Sequence, residues 1–120
     1  MKVIIAGSRG FEDYEYLKKQ LNLLIEEGYL THMSTIVSGG ARGADRLGEL
    51  FAAEYQLKTV LFPADWDQYG PSAGPIRNEQ MADYADVLVA FWDGKSRGTQ
   101  NMIELMQARR KELHVFQCPR

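Results

Sequence analysis

"IVSGGARGADRL", residues 36–47, begins as an apolar strand, turns through glycines and continues as a helix. Glycines adopt backbone dihedrals that most side chains forbid, and they let the main chain approach a ligand closely. The turn nevertheless carries an arginine, Arg42, among its glycines. Backbone N–H groups at the start of the following helix would point outward with a partial positive charge. The stretch therefore predicts a strand–turn–helix unit whose turn holds an anion such as phosphate.

The alternation of apolar runs and helical patterns extends along the whole chain. Strands are predicted at residues 2–6 and within 35–40, 58–64, 86–94 and 113–117. Helices are predicted from Asp13, as a cap, to about residue 27 and over 44–55, 76–85 and 99–110, whereas the Gly- and Pro-rich stretch 65–75 is predicted to be a loop. Strands separated by helices pair in parallel, with helices on both faces of the sheet. We therefore expect residues 1–120 to form a single α/β domain, Rossmann-like and three-layered, with a mostly parallel sheet of about five strands.

Composition excludes several classes of protein. The chain has 120 residues, a net charge of -2 and a single cysteine, Cys118, so it cannot form an intrachain disulfide and a reducing, cytoplasmic location is expected. No run approaches the ~18 apolar residues of a membrane helix, so no membrane partner is expected. The net charge disfavours nucleic acid as a partner, although it leaves room for a local basic pocket.

Metal and cofactor sites have little support in the sequence. The two histidines, His32 and His114, lack partners at metal-ligand spacing. Asp65 and Asp67 could together help to hold Mg²⁺, although a role in turn formation is favoured. No metal site and no cofactor are therefore predicted.

Four arginines follow the four longer predicted strands, each close to a glycine. Arg9 lies in "GSRGF", Arg42 in "SGGARGAD", Arg77 in "AGPIRNEQM" and Arg97 in "DGKSRGTQN". Ligands of open parallel sheets bind beyond the carboxyl ends of the strands, so these segments are expected to meet at one edge. The guanidinium fork matches the oxygens of phosphate or carboxylate. The predicted ligand-binding residues are Gly7, Ser8, Arg9, Ser38, Gly39, Gly40, Arg42, Gly43, Asp45, Trp66, Arg77, Asn78, Ser96, Arg97, Gly98 and Thr99.

The pattern is neither a dinucleotide-binding GxGxxG fingerprint nor a Walker A loop. Instead "GSRGF", "VSGGARGAD", "FPADWDQYGPSAGPIRNEQM" and "DVLVAFWDGKSRGT" together resemble the YspA-type branch of the SLOG superfamily, over nearly the whole chain. That superfamily has a Rossmann-like fold and includes cytokinin-activating phosphoribohydrolases, the DNA-processing protein of natural transformation and nucleotide-sensing domains of conflict systems. The resemblance implies a nucleotide or nucleotide-derived ligand, with "GGARGAD" and "SRGTQN" forming two halves of a phosphate and ribose site.

One position departs from the phosphoribohydrolase pattern. Where that motif carries its catalytic glutamate, this sequence has Met102. Glu104 lies about 200° further round the helix and cannot take over the same geometry. The remaining candidate acids are Asp45, which could contact ribose, act as a general base or merely compensate the helix dipole, and Glu79, which could touch ligand or pair with Arg77.

Three functions are in play. The leading prediction is a protein that binds a nucleotide-derived small molecule as a sensor or sequestering protein. An N-glycosidic or phosphate hydrolase that uses Asp45, Glu79 or Glu104 is the alternative, and a DNA-handling module ranks last. Trp66 could stack on a base, or it could pack under its own loop or against a second subunit. A homo-oligomer is also expected, because the fourth predicted helix is broadly apolar, with Met102, Ile103, Leu105 and Met106.

Overall fold

A computed structural model describes residues 1–118 and contains five strands and five α-helices. The elements are β1 (Lys2–Gly7), α1 (Tyr14–Glu26), β2 (Thr35–Ser38), α2 (Ala44–Glu54), β3 (Thr59–Leu61), α3 (Trp66–Tyr69), α4 (Ala73–Tyr84), β4 (Val87–Trp92), α5 (Arg97–Ala108) and β5 (Glu112–Gln117), with a 3₁₀ turn at Gly70–Ser72. The sheet order is β3-β2-β1-β4-β5, and every neighbouring pair is parallel. The Rossmann-like α/β prediction is confirmed, and the sheet is wholly rather than mostly parallel.

Alternate residues of β1 enter two separate cores. Val3 and Ile5 belong to the core that packs against α1 and α2, whereas Ile4 and Ala6 belong to the core beneath α4 and α5. Both faces of the sheet are therefore covered, which explains why the central strands are continuous apolar runs. The carboxyl ends of the parallel strands meet at one edge of the sheet.

The first helix follows its sequence signals closely. The Asp13 carboxylate accepts a hydrogen bond from the Tyr16 N–H at 3.1 Å and caps the helix start. Leu17, Leu21 and Leu24 are buried along one face. Gly28 follows the helix end with φ of +86°, a conformation that glycine adopts without strain. The predicted start and end of this helix are confirmed.

The predicted loop over residues 65–75 is wrong, because most of this stretch is helical. The Asp65 carboxylate accepts from the Gln68 N–H at 3.1 Å and starts α3. Pro75 lies in the first turn of α4, where a backbone N–H would lack a helical partner anyway. Proline therefore permits this helix to begin three residues before the predicted position, at Ala73. The strand before α3, β3, covers only residues 59–61 of the predicted stretch 58–64.

The apolar width of α5 is explained by the chain's own core. Met102, Ile103 and Met106 are buried against the sheet, and Leu105 packs at the edge of the same core. The apolar surface of α5, on which the homo-oligomer prediction rested, is therefore covered by the core of the same chain. None of the helices in residues 1–118 has the length and apolar character needed to cross a membrane.

Lys111 provides a first prediction, about stability. Its ammonium group donates to the carbonyls of Ala82, Asp83 and Ala85 at 2.7, 3.1 and 2.8 Å, at the C-terminal end of α4. Lys111→Met removes this cap and is expected to lower the free energy of unfolding by about 1–3 kcal/mol. Urea unfolding measures the change, and Lys19→Met, at an exposed lysine of α1, is the control. Equal stability of the two variants would contradict the capping role.

Candidate functional site

Two adjoining cavities form a groove along the carboxyl edge of the sheet. The inner cavity, of about 260 Å³, lies at the switch point between β1 and β4 and reaches the start of α5. The outer cavity, of about 400 Å³, lies beyond β2 and β3. Arg9, Ala41 and Arg77 line both cavities, so the two lie side by side. We call the combined feature the arginine groove, and it lies where ligands of open α/β sheets bind.

All four arginines singled out in the sequence line this groove. Arg97 lines the inner cavity and Arg42 the outer one, and both are exposed, as is Arg9 between them. Within residues 1–118, the ion pairs join Lys18 to Glu54, Arg109 to Asp83 and His114 to Glu112, away from the groove. The three exposed guanidinium groups are therefore available to an incoming anion.

The fourth arginine, Arg77, has a different role, because it is half-buried and bonded to the protein. It lies in α4, where its Nη1 donates to the Gly39 carbonyl at 2.7 Å and its Nε donates to Asn78 Oδ1 at 3.0 Å. Burial lowers the pKa of Arg77, and the charge of Arg9 adds to that effect. A Cβ at position 39 would lie 2.5 Å from Nη1, so a larger residue there would displace the Arg77 guanidinium from this position. Arg77 thus fixes the turn after β2 as well as adding charge.

Asp45 is the acid that the fold brings into the groove. It lies in the first turn of α2, is only 6% exposed and lines the inner cavity. Its Oδ2 accepts from the Ala41 N–H at 3.3 Å. Burial raises the pKa of Asp45 to about 6, although the Ala41 N–H and the Arg77 charge oppose the shift. Compensation of the helix dipole alone would not require this degree of burial.

Three of the predicted binding residues, Ser8, Ser38 and Gly43, do not line either cavity. Ser38 Oγ donates to Glu49 Oε2 at 2.7 Å and accepts from the Gly40 N–H at 3.1 Å. Ser8 Oγ accepts from the Asp93 N–H at 3.1 Å. Gly43 has φ of +77°, and a Cβ there would meet the Ser8 and Arg9 carbonyls. These residues hold the loops of the groove in place.

The turn before α5 is held by side chains that the sequence reasoning missed. The Asp93 carboxylate accepts from the N–H groups of Lys95 and Ser96 at 2.8 and 2.9 Å. The Asp-Gly pair at 93–94 is an ordinary turn signal that could have identified this role. Asn78 links α4 to α5 by donating to the Gly98 carbonyl and to Asn101 Oδ1. Together these bonds fix the backbone that carries Arg97.

The other predicted acids lie outside the groove. Glu79 and Glu104 are exposed and line neither cavity. Of the three candidate catalytic residues, only Asp45 lies in the groove. Asp65 caps α3, and no cluster of three or more potential metal-ligating side chains occurs within residues 1–118.

The sequence reasoning also missed the apolar lining of the groove, because small and apolar side chains carry no chemical signal. Met102 itself is buried and lines the inner cavity. The further lining residues that were not anticipated are Ala6, Ala41 and Met81 and, in the outer cavity, Pro63 and Ala64.

Trp66 lies at the rim of the outer cavity and is 52% exposed. Its ring passes over the start of α4, where a Cβ at Gly74 would lie 3.5 Å from Cη2. The ring therefore rests on one side against a glycine and leaves much of its surface open to the groove.

The sequence matches a family model over residues 1–69, which are the residues that form β1 to β3 and the turns carrying Arg9 and Arg42. The chain belongs to the YspA, cpYpsA-related SLOG family. The resemblance to this branch of the SLOG superfamily is therefore confirmed. The chain is also similar to the Gene 61 protein of Mycobacterium phage D29, with 33% identity over 113 residues and a match that covers 88% of each chain.

Two solved structures resemble the SLOG fold of this chain. DNA processing protein A of Helicobacter pylori, described for its single-stranded DNA binding mode, matches with a TM-score of 0.71 at 22% identity. The Streptococcus pneumoniae protein matches with a TM-score of 0.72 at 20% identity. The matches cover 96% and 99% of this chain, but only 64% and 50% of those proteins. At such identities the likeness establishes a shared fold.

These two structures overturn two predictions made for this chain. The function prediction, a nucleotide sensor or sequestering protein with DNA handling ranked last, is wrong, and so is the prediction that nucleic acid is disfavoured as a partner. The low rank given to DNA handling and the expectation against nucleic acid both rested on the net charge of -2. A net charge averages over the whole surface, whereas binding depends on the local field of the arginine groove.

Proposed function

We propose that this chain binds single-stranded DNA, with the strand lying along the arginine groove. The observation that carries the proposal is a groove of two adjoining cavities lined by Arg9, Arg42, Arg77 and Arg97, in a chain of net negative charge. The likeness to a DNA processing protein described for single-stranded DNA binding supports this choice of ligand.

The chemistry of the exposed arginines suits a phosphodiester backbone. Each guanidinium can donate two parallel hydrogen bonds to phosphate oxygens. Arg97 and Arg42 line different cavities, with Arg9 between them, so a ligand that uses all three must extend along the groove. A strand with a charge at every nucleotide meets this requirement, whereas a single small anion does not.

Two features favour a single strand over a duplex. The groove is made of cavities of about 260 and 400 Å³, which admit single nucleotides rather than a double helix. Trp66 offers an exposed aromatic face beside the outer cavity, and stacking on it requires a base that is free of its partner strand.

A direct binding measurement tests the proposal. Fluorescence anisotropy of a labelled oligothymidylate should show binding with a dissociation constant of about 1–100 µM at physiological salt and much tighter binding at low salt. A duplex of equal length should bind more weakly. No change in anisotropy at low salt, or equal binding of the duplex, would contradict the proposal.

Trp66→Ala provides the next prediction. Loss of base stacking should weaken binding to the single strand by about 5- to 100-fold, since such contacts contribute about 1–3 kcal/mol each. Trp66→Phe retains an aromatic face and should restore much of the affinity. The salt dependence should stay unchanged in both variants, because neither alters a charge. A Trp66→Ala variant with wild-type affinity would place the strand elsewhere.

For this DNA-binding role we also propose a cytoplasmic location. Cys118 is buried and free in the structure, and an unbridged cysteine suits a reducing compartment. Fractionation of cells that express the chain would test this, and recovery from a secreted fraction would contradict it.

A further inference from the structure

The inner cavity contains a carboxylate in a groove built for anions. Asp45 lines this cavity, where a negative charge repels phosphate and is itself costly to bury. Since burial raises its pKa only to about 6, the carboxyl group is mainly ionised at neutral pH and can only accept hydrogen bonds. The groove therefore keeps a hydrogen-bond acceptor that the phosphate backbone does not use.

The rest of the inner cavity suits a flat, partly apolar group. Ala6, Met81 and Met102 form an apolar part of its lining, and its volume of about 260 Å³ lies below the usual range of ligand pockets. A nucleobase has the size and character for such a space, with its face against apolar side chains and its polar edge toward a hydrogen-bonding partner. A phosphate group would gain nothing from the methionines.

Among the buried polar side chains of the cavity, Asp45 retains acceptor capacity. The Asn78 amide already accepts from Arg77 and donates to Gly98 and Asn101. Asp45 Oδ2 accepts a long bond, 3.3 Å, from the Ala41 N–H. An ionised carboxylate has about four lone-pair positions, so several remain for a ligand.

Building on the proposed function, we propose that the inner cavity takes one base of the bound strand and that Asp45 accepts a hydrogen bond from its exocyclic amino group. Cytosine, adenine and guanine carry such a group, and carboxylates are established acceptors for it. Thymine has none, and its single ring N–H lies between two carbonyl oxygens that repel a carboxylate. Asp45 therefore makes the site prefer amino-bearing bases over thymine.

Competition binding tests this base site. An oligothymidylate of about 15 nucleotides competes with otherwise identical strands that carry one central cytidine, adenosine or guanosine. Wild-type protein should bind at least one substituted strand about 5- to 100-fold more tightly than the all-thymidine strand. In Asp45→Asn this preference should shrink several-fold, while affinity for the all-thymidine strand is retained or increased, because the arginines remain. Glu26→Gln, at an exposed carboxylate of α1, is the control for charge and should keep the preference.

The outcomes separate this inference from the proposal on which it rests. Equal binding of all four strands by wild-type protein, or an unchanged preference in Asp45→Asn, would overturn the base site while single-stranded DNA binding stands. Failure of every strand to bind would overturn both.

Discussion

Replacing Arg42 and Arg97 together by glutamine is expected to weaken binding to single-stranded DNA about 100-fold at low salt. These arginines line opposite cavities of the groove, so a strand that spans it loses a contact at each end. Each charged hydrogen bond contributes about 1.5–3 kcal/mol, and partial compensation by neighbouring groups leaves about 3 kcal/mol for the pair. The slope of log affinity against log salt should also fall by about 1.4, because two phosphate contacts are removed.

A matched double variant controls for the change in net charge. Lys19→Gln with Arg110→Asn also removes two positive charges, and Arg110 precedes β5 at the opposite edge of the sheet. Asparagine suits position 110 because its φ of +55° is left-handed, a conformation that asparagine tolerates. Anisotropy titrations over a salt series compare the two proteins. Similar losses in both would show that overall charge, and not the groove, determines the affinity.

The second large effect concerns stability. Asp45→Asn is expected to change the free energy of unfolding in a pH-dependent way. The change should favour folding by about 3 kcal/mol more at neutral pH than near pH 4. In the folded protein burial raises the pKa of Asp45 to about 6, against 3.8 for a free carboxyl group. The wild-type protein must therefore bury an unfavourable charge at neutral pH, and asparagine has no charge to bury.

The sign of the pH dependence follows from the raised pKa. Between about pH 4 and 6 the folded state binds this proton and the unfolded state does not, so protonation stabilises the fold at acid pH. That contribution is complete below about pH 4 and is lost as the pH rises through 6. Urea unfolding across this range should show the difference between wild type and variant growing with pH. Asp67→Asn, at an exposed carboxylate, should show no such growth, and a constant difference for Asp45→Asn would contradict the buried charge.

The Arg42/Arg97 double variant and Asp45→Asn should affect stability differently. The arginine pair should change affinity and leave stability nearly unaltered, because both side chains are exposed. Asp45→Asn should raise stability and alter the base preference. A residue whose buried charge lowers stability and that lies in a binding groove is what a trade-off between stability and function predicts.

Much of the fold follows from the sequence because its signals are local. Asp13 and the spaced leucines define α1 through capping and helical periodicity, and neither depends on distant residues. The alternation of strands and helices requires a parallel sheet, and the carboxyl ends of parallel strands share one edge. Four arginines that each follow a strand must then face one groove, which is why that part of the site could be predicted.

Other predictions were wrong because they were based on which residue types are present and not on where those residues lie. Glycines and prolines over 65–75 predicted a loop, yet Asp65 and the position of Pro75 in a first turn allow helices there. The net charge disfavoured nucleic acid, although charge is not evenly distributed over the surface. In both cases position, rather than composition, determines the outcome.

The sequence by itself determined the parallel α/β fold, the first helix and the edge at which the arginines gather. Only the tertiary structure decided that Asp45 is buried, that Arg77 is bonded to the Gly39 carbonyl and that Met102 lines the inner cavity. The physical reason is the range of the interactions. Capping and periodicity act within one turn of helix, whereas burial and pKa depend on side chains that the fold brings together from β1, α2, α4 and α5.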